Sequence, residues 1–125
     1  MNVLLDTNFI MTCIKQKIDF MEELQLQGFK IIIPKQVIEE LERVSVRKNK
    51  KLKHRELAEI SLKLIKKSKK IFTSPDLGKK HVDKLIVQYA DKNPKLIVAT
   101  LDSELKKKLK NKKMVIREKK QLEII

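Results

Sequence analysis

Leu96-Ile97-Val98-Ala99-Thr100-Leu101-Asp102 is the stretch from which the rest of the chain is read. Its apolar residues are unbroken rather than alternating, the signature of a strand covered on both faces. The run ends on an acid. Val3-Leu4-Leu5-Asp6, near the start, has the same form. Between and after these two runs, helical and strand patterns alternate. Residues 2–6 read as a first strand. Residues 8–27 read as helix, broken around Lys15–Lys17 and ended by Gly28 in the C-cap position. Phe29–Ile33 is a second strand, stopped by Pro34. Helices follow over 35–47 and 54–68, the latter with Leu57, Ile60, Leu64 and Ile65 on one side. Ile71–Thr73 is a short strand, 79–91 a helix, Lys95–Thr100 a central strand, and 102–111 a short basic helix. Met114–Ile116 is a strand and Leu122–Ile125 a turn or an edge strand. The alternation predicts βαβ units and an α/β fold. The expected architecture is a three-layer α/β/α sandwich around a central, mostly parallel sheet of about five strands.

The chain has 125 residues, the size of one domain spanning 1–125, and 42% of them are hydrophobic, enough for a core. Thirty Lys and Arg stand against 16 Asp and Glu, a net charge of +14. That excess suits a polyanionic partner, above all nucleic acid; the bland alternative is a solvated surface rich in Lys and Glu. Cys13 is the only cysteine, so no internal disulfide forms, and a reducing cytoplasmic setting fits. No His pairs with Cys13 to make it a nucleophile. Asp6 interrupts any early apolar stretch, so no signal peptide is expected, and no run approaches a membrane span.

Four acids sit where an acid has no obvious structural reason to be. Asp6 and Asp102 end the two apolar runs. Ligand sites of open α/β sheets lie beyond the carboxyl ends of the strands, which puts both acids on one sheet edge. On the helix over 35–47, taking Val37 as zero, Glu40 falls at about 300°, just off the stripe of Leu41, Ile38 and Val44. On the helix over 79–91, taking Val82 as zero, Asp83 falls at about 100°, between Ala90 at about 80° and Val87 at about 140°. Carboxylates in apolar surroundings are costly unless compensated. An isolated buried one gives up its charge, and a bound Mg²⁺ or Mn²⁺ would hold it ionised. On this reading Asp83→Asn relieves a buried charge in the metal-free chain. Each acid also has a plain reading. Asp6 or Asp102 is an N-cap, Glu40 a solvated carboxylate, and Asp83 an acid favoured by the dipole of its helix. A metal-binding cluster explains all four together and points to phosphodiester hydrolysis.

These segments resemble the PIN-domain family of metal-dependent ribonucleases. The family pattern opens with a strand and Asp-Thr-Asn, here Asp6-Thr7-Asn8. It continues with a Pro-initiated helix carrying an acid before Leu, here Pro34 to Glu40-Leu41. An Asp leading an apolar helix follows, here Asp83 to Ala90, and then a strand with Thr-x-Asp-x-x-Leu, here Thr100 to Leu105. The resemblance covers nearly the whole chain. Asp6-Thr7-Asn8-Phe9-Ile10 and the basic run after Leu105 are similar to the branch that cuts pre-rRNA in the small-subunit processome. Relatives there often carry two adjacent acids at the third motif, where this chain has Asp83-Lys84. The related competitor is the VapC-type toxin, which cleaves tRNA or rRNA and pairs with an antitoxin.

The resemblance implies a PIN-like fold and an endoribonuclease with Asp6, Glu40, Asp83 and Asp102 as catalytic and metal-holding residues for Mg²⁺ or Mn²⁺. Thr7, Asn8, Thr100 and Glu104 are candidate supporting residues; ordinary turn and cap chemistry is the alternative for the first three. Arg47, Lys48, Lys50, Lys51, Lys53, Lys106, Lys107, Lys108 and Lys110 are candidate RNA-backbone contacts, with Lys106–Lys110 expected near the site because they follow Asp102. His54 and His81 read as surface residues, His81 with a further reading as a substrate contact. The few aromatics fit apolar positions, so base stacking on them is not expected. Implied partners are rRNA or its precursor, an assembly factor or antitoxin, and a second copy of the chain in a homodimer. A catalytically silent RNA-binding scaffold and a protein-interaction module are the rival classes.

Overall fold

The computed structural model describes residues 1–48 and 51–125. The elements run β1 (Asn2–Leu5), α1 (Thr7–Lys15), α2 (Phe20–Leu26), β2 (Lys30–Ile32), α3 (Lys35–Val46), α4 (Leu52–Lys67), β3 (Phe72–Thr73), α5 (Val82–Lys92), β4 (Ile97–Ala99), α6 (Ser103–Lys108), β5 (Lys113–Arg117), a 3₁₀ turn over Glu118–Lys120, and β6 (Gln121–Ile124). They form one six-stranded sheet of order β3-β2-β1-β4-β5-β6. The first five strands are parallel, and β6 is antiparallel to β5. The expected five strands thus become six, because the Leu122–Ile125 segment resolves as an edge strand. Its link to β5 is the turn over 118–120, too short for a crossover, so the pairing is antiparallel.

The unbroken apolar runs are buried on both faces. Along β1, Val3 and Leu5 point into one core with Ile97 and Ala99 of β4 and with Ile31 and Ile33. Phe9, Phe20, Leu41 and Ile65, one from each of α1 to α4, close that core. The intervening residues Leu4, Ile32 and Val98 point the other way, against Ile86 and Ala90 of α5 and Leu105 of α6. Period-two pleating sorts each run between two helix layers, which is why no position in it tolerates a polar residue. Among the described residues no helix is long and apolar enough to cross a membrane.

The expected break in the first helix is real and separates α1 from α2. At the end of α1, Ile18 N–H donates to Cys13 O and Lys17 N–H to Ile14 O, with Lys17 at φ 60°. At the end of α2, Phe29 N–H donates to Leu24 O and Gly28 N–H to Gln25 O, with Gly28 at φ 82°. Both are Schellman ends, but only the second has the glycine this geometry favours. Lys17→Gly is therefore expected to stabilise the fold by about 0.5–1 kcal/mol in urea unfolding, because a side chain in the left-handed region costs about 1–2 kcal/mol and the extra freedom of an unfolded glycine takes back part of that. A loss of stability would show that the Lys17 stem packs usefully.

The β2–β1–β4 order creates the feature that matters for function. Strands β2 and β3 lie on one side of β1, and β4 and β5 on the other. The direction of winding changes between β1 and β4, and the crevice beyond their carboxyl ends is where open α/β sheets place ligands.

Candidate active site

Leu5 of β1 lies opposite Ala99 of β4, so Asp6 and Thr100 leave the sheet side by side. Asp6 N–H still donates to Ala99 O at 3.0 Å. The Asp6 carboxylate then serves two elements. Its Oδ1 accepts from Thr7 N–H at 2.8 Å and caps α1. Its Oδ2 accepts from the Thr100 hydroxyl at 2.9 Å. Thr100 Oγ1 in turn accepts from Asp102 N–H at 3.1 Å. Asp102 Oδ1 accepts from the N–H groups of Glu104, at 2.9 Å, and Leu105, at 3.3 Å, and so caps α6. The capping reading of these two acids holds, and each cap sets a carboxylate at the mouth of the crevice.

Glu40 reaches the crevice from α3, where Thr7 Oγ1 donates to its Oε2 at 3.1 Å. Asp83 arrives in the first turn of α5. Asp6, Thr7, Asn8, Glu40, Asp83 and Asp102 line one cavity of about 360 Å³, together with Arg43, Arg47, Lys80, His81, Val44 and Val82. A buried glutamine holds the approach to α5 in place. Gln36 Nε2 donates to Asp76 Oδ1 at 2.7 Å and to Gly78 O at 2.8 Å, and its Oε1 accepts from Leu77 N–H at 2.9 Å. These three bonds fix the loop that delivers Lys80, His81 and Asp83.

The buried charge belongs to Asp6. Burial pushes its carboxyl up to about 6, the Thr100 and Thr7 hydrogen bonds oppose this, and the Glu40 and Asp83 carboxylates add to it. Asp83 itself is half-buried. The arc on α5 is set by Leu85, Ile86 and Ala90, which are buried. Leu85 falls at about 300° and moves the centre of the stripe away from Asp83. The expected relief of a buried charge by Asp83→Asn is corrected accordingly. The pH dependence follows from Asp6. Its folded value lies above the unfolded one, so the folded state binds the extra proton. The metal-free protein is therefore expected to gain stability as pH falls from 7 to 5, by roughly 1 kcal/mol. The gain starts near the folded value of about 6. Asp76, whose carboxyl Gln36 holds low, loses its contribution only below that window. Urea midpoints in EDTA at pH 7 and pH 5 test this; a midpoint that falls on acidification would contradict it.

Among the described residues no three His, Cys, Asp or Glu side chains stand close enough together to hold an ion as placed. The donor chemistry nonetheless fits a hard divalent cation: four carboxylates line one cavity, and the charge on Asp6 is opposed by two of its neighbours. Cys13 is no rival centre, since burial pushes its thiol up to about 12.

The basic residues divide. Arg47 lines the acidic cavity, and Lys51 and Lys53 line a second one beside it. Lys48 lines neither, and Lys50 lies outside the described residues. Lys106, Lys107, Lys108 and Lys110 also line neither. Asp102 caps the start of α6, so the helix carries these lysines away from the site. Glu104 gives its N–H to Asp102, while its exposed carboxylate lies 3.9 Å from Lys107 Nζ and outside the cavity. Arg43, Lys80 and Lys15 were not singled out in the sequence. Arg43 is three residues after Glu40, a spacing that shares a helix face and could have found it. His81 lines the acidic cavity and His54 the adjoining one.

The pattern of the PIN like domain matches residues 3–121. The chain belongs to the PIN-like domain family. It is 38% identical over 125 aligned positions to Ribonuclease VapC4 of Methanocaldococcus jannaschii, covering 95% of this chain and 92% of that protein. The structure of the PIN domain endonuclease Utp24 superposes with a TM-score of 0.79 at 25% identity, over 98% of this chain and 90% of that one. Both branches of the PIN family that the sequence resembles are thus represented among its relatives.

Proposed function

We propose that this PIN-like protein is a metal-dependent endoribonuclease, a single domain over residues 1–125 that hydrolyses RNA phosphodiester bonds. The observation that carries the reading is the convergence of Asp6, Glu40, Asp83 and Asp102 on one cavity at the switch point of the sheet, rimmed by Arg43, Arg47 and Lys80. Its likeness to Ribonuclease VapC4 and to the PIN domain endonuclease Utp24 supports it. The four acids would hold Mg²⁺ or Mn²⁺. Such an ion, when bound, lowers the pKa of a water and offsets charge on the phosphate oxygens. The residues of the chain supply position. Thr7 aims Glu40, Thr100 joins Asp6 to the backbone of Asp102, and the cationic rim draws the phosphate in. Water would attack phosphorus, giving up a proton as the P–O bond opposite breaks, and the departing ribose oxygen would take up a proton and leave as a hydroxyl; with water as the nucleophile the RNA 2′-hydroxyl is not needed.

The substrate we favour is rRNA or its precursor, in a cytoplasmic setting and with an assembly factor as partner. Likeness to the Utp24 structure and the charge of +14 support this. The 38% identity to Ribonuclease VapC4 favours a second reading, a toxin ribonuclease paired with an antitoxin. Labelled rRNA-precursor fragments and tRNA, each incubated with Mn²⁺ and with EDTA, test the activity and the first reading; a stable complex with a small antitoxin-like protein that blocks cleavage would mark the second. Cleavage confined to tRNA would overturn the first, and no metal-dependent cleavage of either would overturn the activity. Binding to RNA is expected to fall with salt. If about six phosphates are neutralised, the log–log slope for a single strand is about −4. A slope near zero would remove the basic rim from the argument.

A further inference from the structure

A second cavity of about 450 Å³ opens beside the acidic one, and the two share Asn8 and Asp102. Its size lies in the range of small-ligand sites. Its chemistry differs from that of its neighbour. Met11 of α1, Leu57 of α4 and Leu101 give it an apolar floor beside the polar side chains of Asn8, Thr12 and Asp102, and Lys15, Lys51, Lys53 and His54 stand around it. Met11 is buried and Leu57 and Leu101 are half-buried, whereas the four cationic or titratable residues are exposed. An apolar floor within a ring of cations, continuous with a carboxylate site, is complementary to one component of an RNA strand. That component is a flat, weakly polar base with a phosphate on either side.

We propose that this cavity is a base-binding subsite, taking the base of an unpaired nucleotide adjacent to the phosphate in the acidic cavity. Met11, Leu57 and Leu101 cover the base, and Lys15, Lys51 and Lys53 meet the flanking phosphates. A base in a duplex is stacked and paired, so it cannot enter; a base in a loop or single strand can be splayed out. The subsite confines this protein to unpaired RNA. The aliphatic part of the floor takes any of the four bases, and Asn8, Thr12, His54 and Asp102 are the lining groups with hydrogen-bonding capacity to tell one base from another. The adjacency to the cut phosphate rests on the ribonuclease reading; the capture of a base does not.

The test uses the whole chain in EDTA, so that binding is read without hydrolysis. The probes are a fluorescein-labelled octauridylate and an octamer of equal charge whose internal positions are abasic. The wild type is expected to bind the intact strand about tenfold more tightly than the abasic one, the scale of burying part of one base face against aliphatic surface. Leu101→Ser, which strips apolar cover from the cavity, is expected to shrink that difference to about twofold. Lys53→Ala is expected to weaken both probes alike, by a few-fold. Equal wild-type affinity for the two strands overturns the proposal. A 4-thiouridine strand provides a measurement independent of any variant. Crosslinks within residues 8–15, 51–57 or 101–102 support the subsite, and crosslinks confined to other segments overturn it. Base-dependent binding by a protein that never cleaves would leave the subsite standing and sink the nuclease reading; cleavage with no base dependence would do the reverse.

Discussion

Asp83→Asn is expected to lower RNA hydrolysis by more than about a hundredfold, beyond the 10–100-fold typical of residues that only support metal ligands. The substitution keeps shape and removes one of four charges from the cavity. Because Asp83 is half-buried and caps nothing, the metal-free fold should change by no more than about 0.5 kcal/mol. The pairing of a large kinetic loss with unchanged stability is the result that identifies a working group. Thr100→Val gives the contrast. It removes the donor to Asp6 Oδ2 and the acceptor for Asp102 N–H, so it should fall within the 10–100-fold range and also destabilise. Initial rates on a labelled fragment, with Mn²⁺ at several concentrations, distinguish the two. Full activity of Asp83→Asn would remove it from the metal set.

Asn111→Ala is expected to cost about 2–4 kcal/mol, the largest stability effect outside the apolar core. Asn111 is buried, and its Nδ2 donates to Ala90 O at 3.2 Å, Asn93 O at 2.9 Å and Leu96 O at 3.0 Å. The two N–H groups of one side chain are thereby shared among three carbonyls, at the end of α5 and in the turn that enters β4. Truncation removes all of these bonds; Ala90 O and Asn93 O keep the N–H groups of Asn93 and Leu96, while Leu96 O loses the amide. Asn111→Asp should be worse, since it sets a carboxylate oxygen against those carbonyls. Activity well below the unfolding temperature should survive Asn111→Ala, because the residue lies by the amino ends of the strands, away from the acids. Urea midpoints check the first claim, and a cost under about 1 kcal/mol would mean that water replaces the amide.

The sheet was legible because its strands are short and wholly apolar. A run such as Leu96–Ala99 has one physical solution, burial between two helix layers. The acids were legible for the complementary reason, since a carboxylate at the end of such a run needs a partner. Two things were hidden. The degree of burial of Asp83 depended on Leu85, an apolar residue at about 300° that the arc drawn from Val82, Ile86, Val87 and Ala90 left out. The reach of the basic residues depended on where helices point, so the lysines nearest Asp102 in sequence are absent from both cavities, while Lys15 and Lys80 enter from distant segments. Asn111 and Gln36 carry no sequence signal. An amide that satisfies carbonyls many residues away looks like any surface amide until the chain is folded.

The hydrogen bond from Thr100 to Asp6 spans 94 positions of chain. A polypeptide leaving the ribosome displays Asp6 early, yet that carboxylate has no Asp102 beside it until β4 has docked against β1. If the chain cleaves RNA, it is harmless while it emerges amid the translation machinery. On that reading the acidic cavity waits for β4, and a copy truncated before it lacks Asp102.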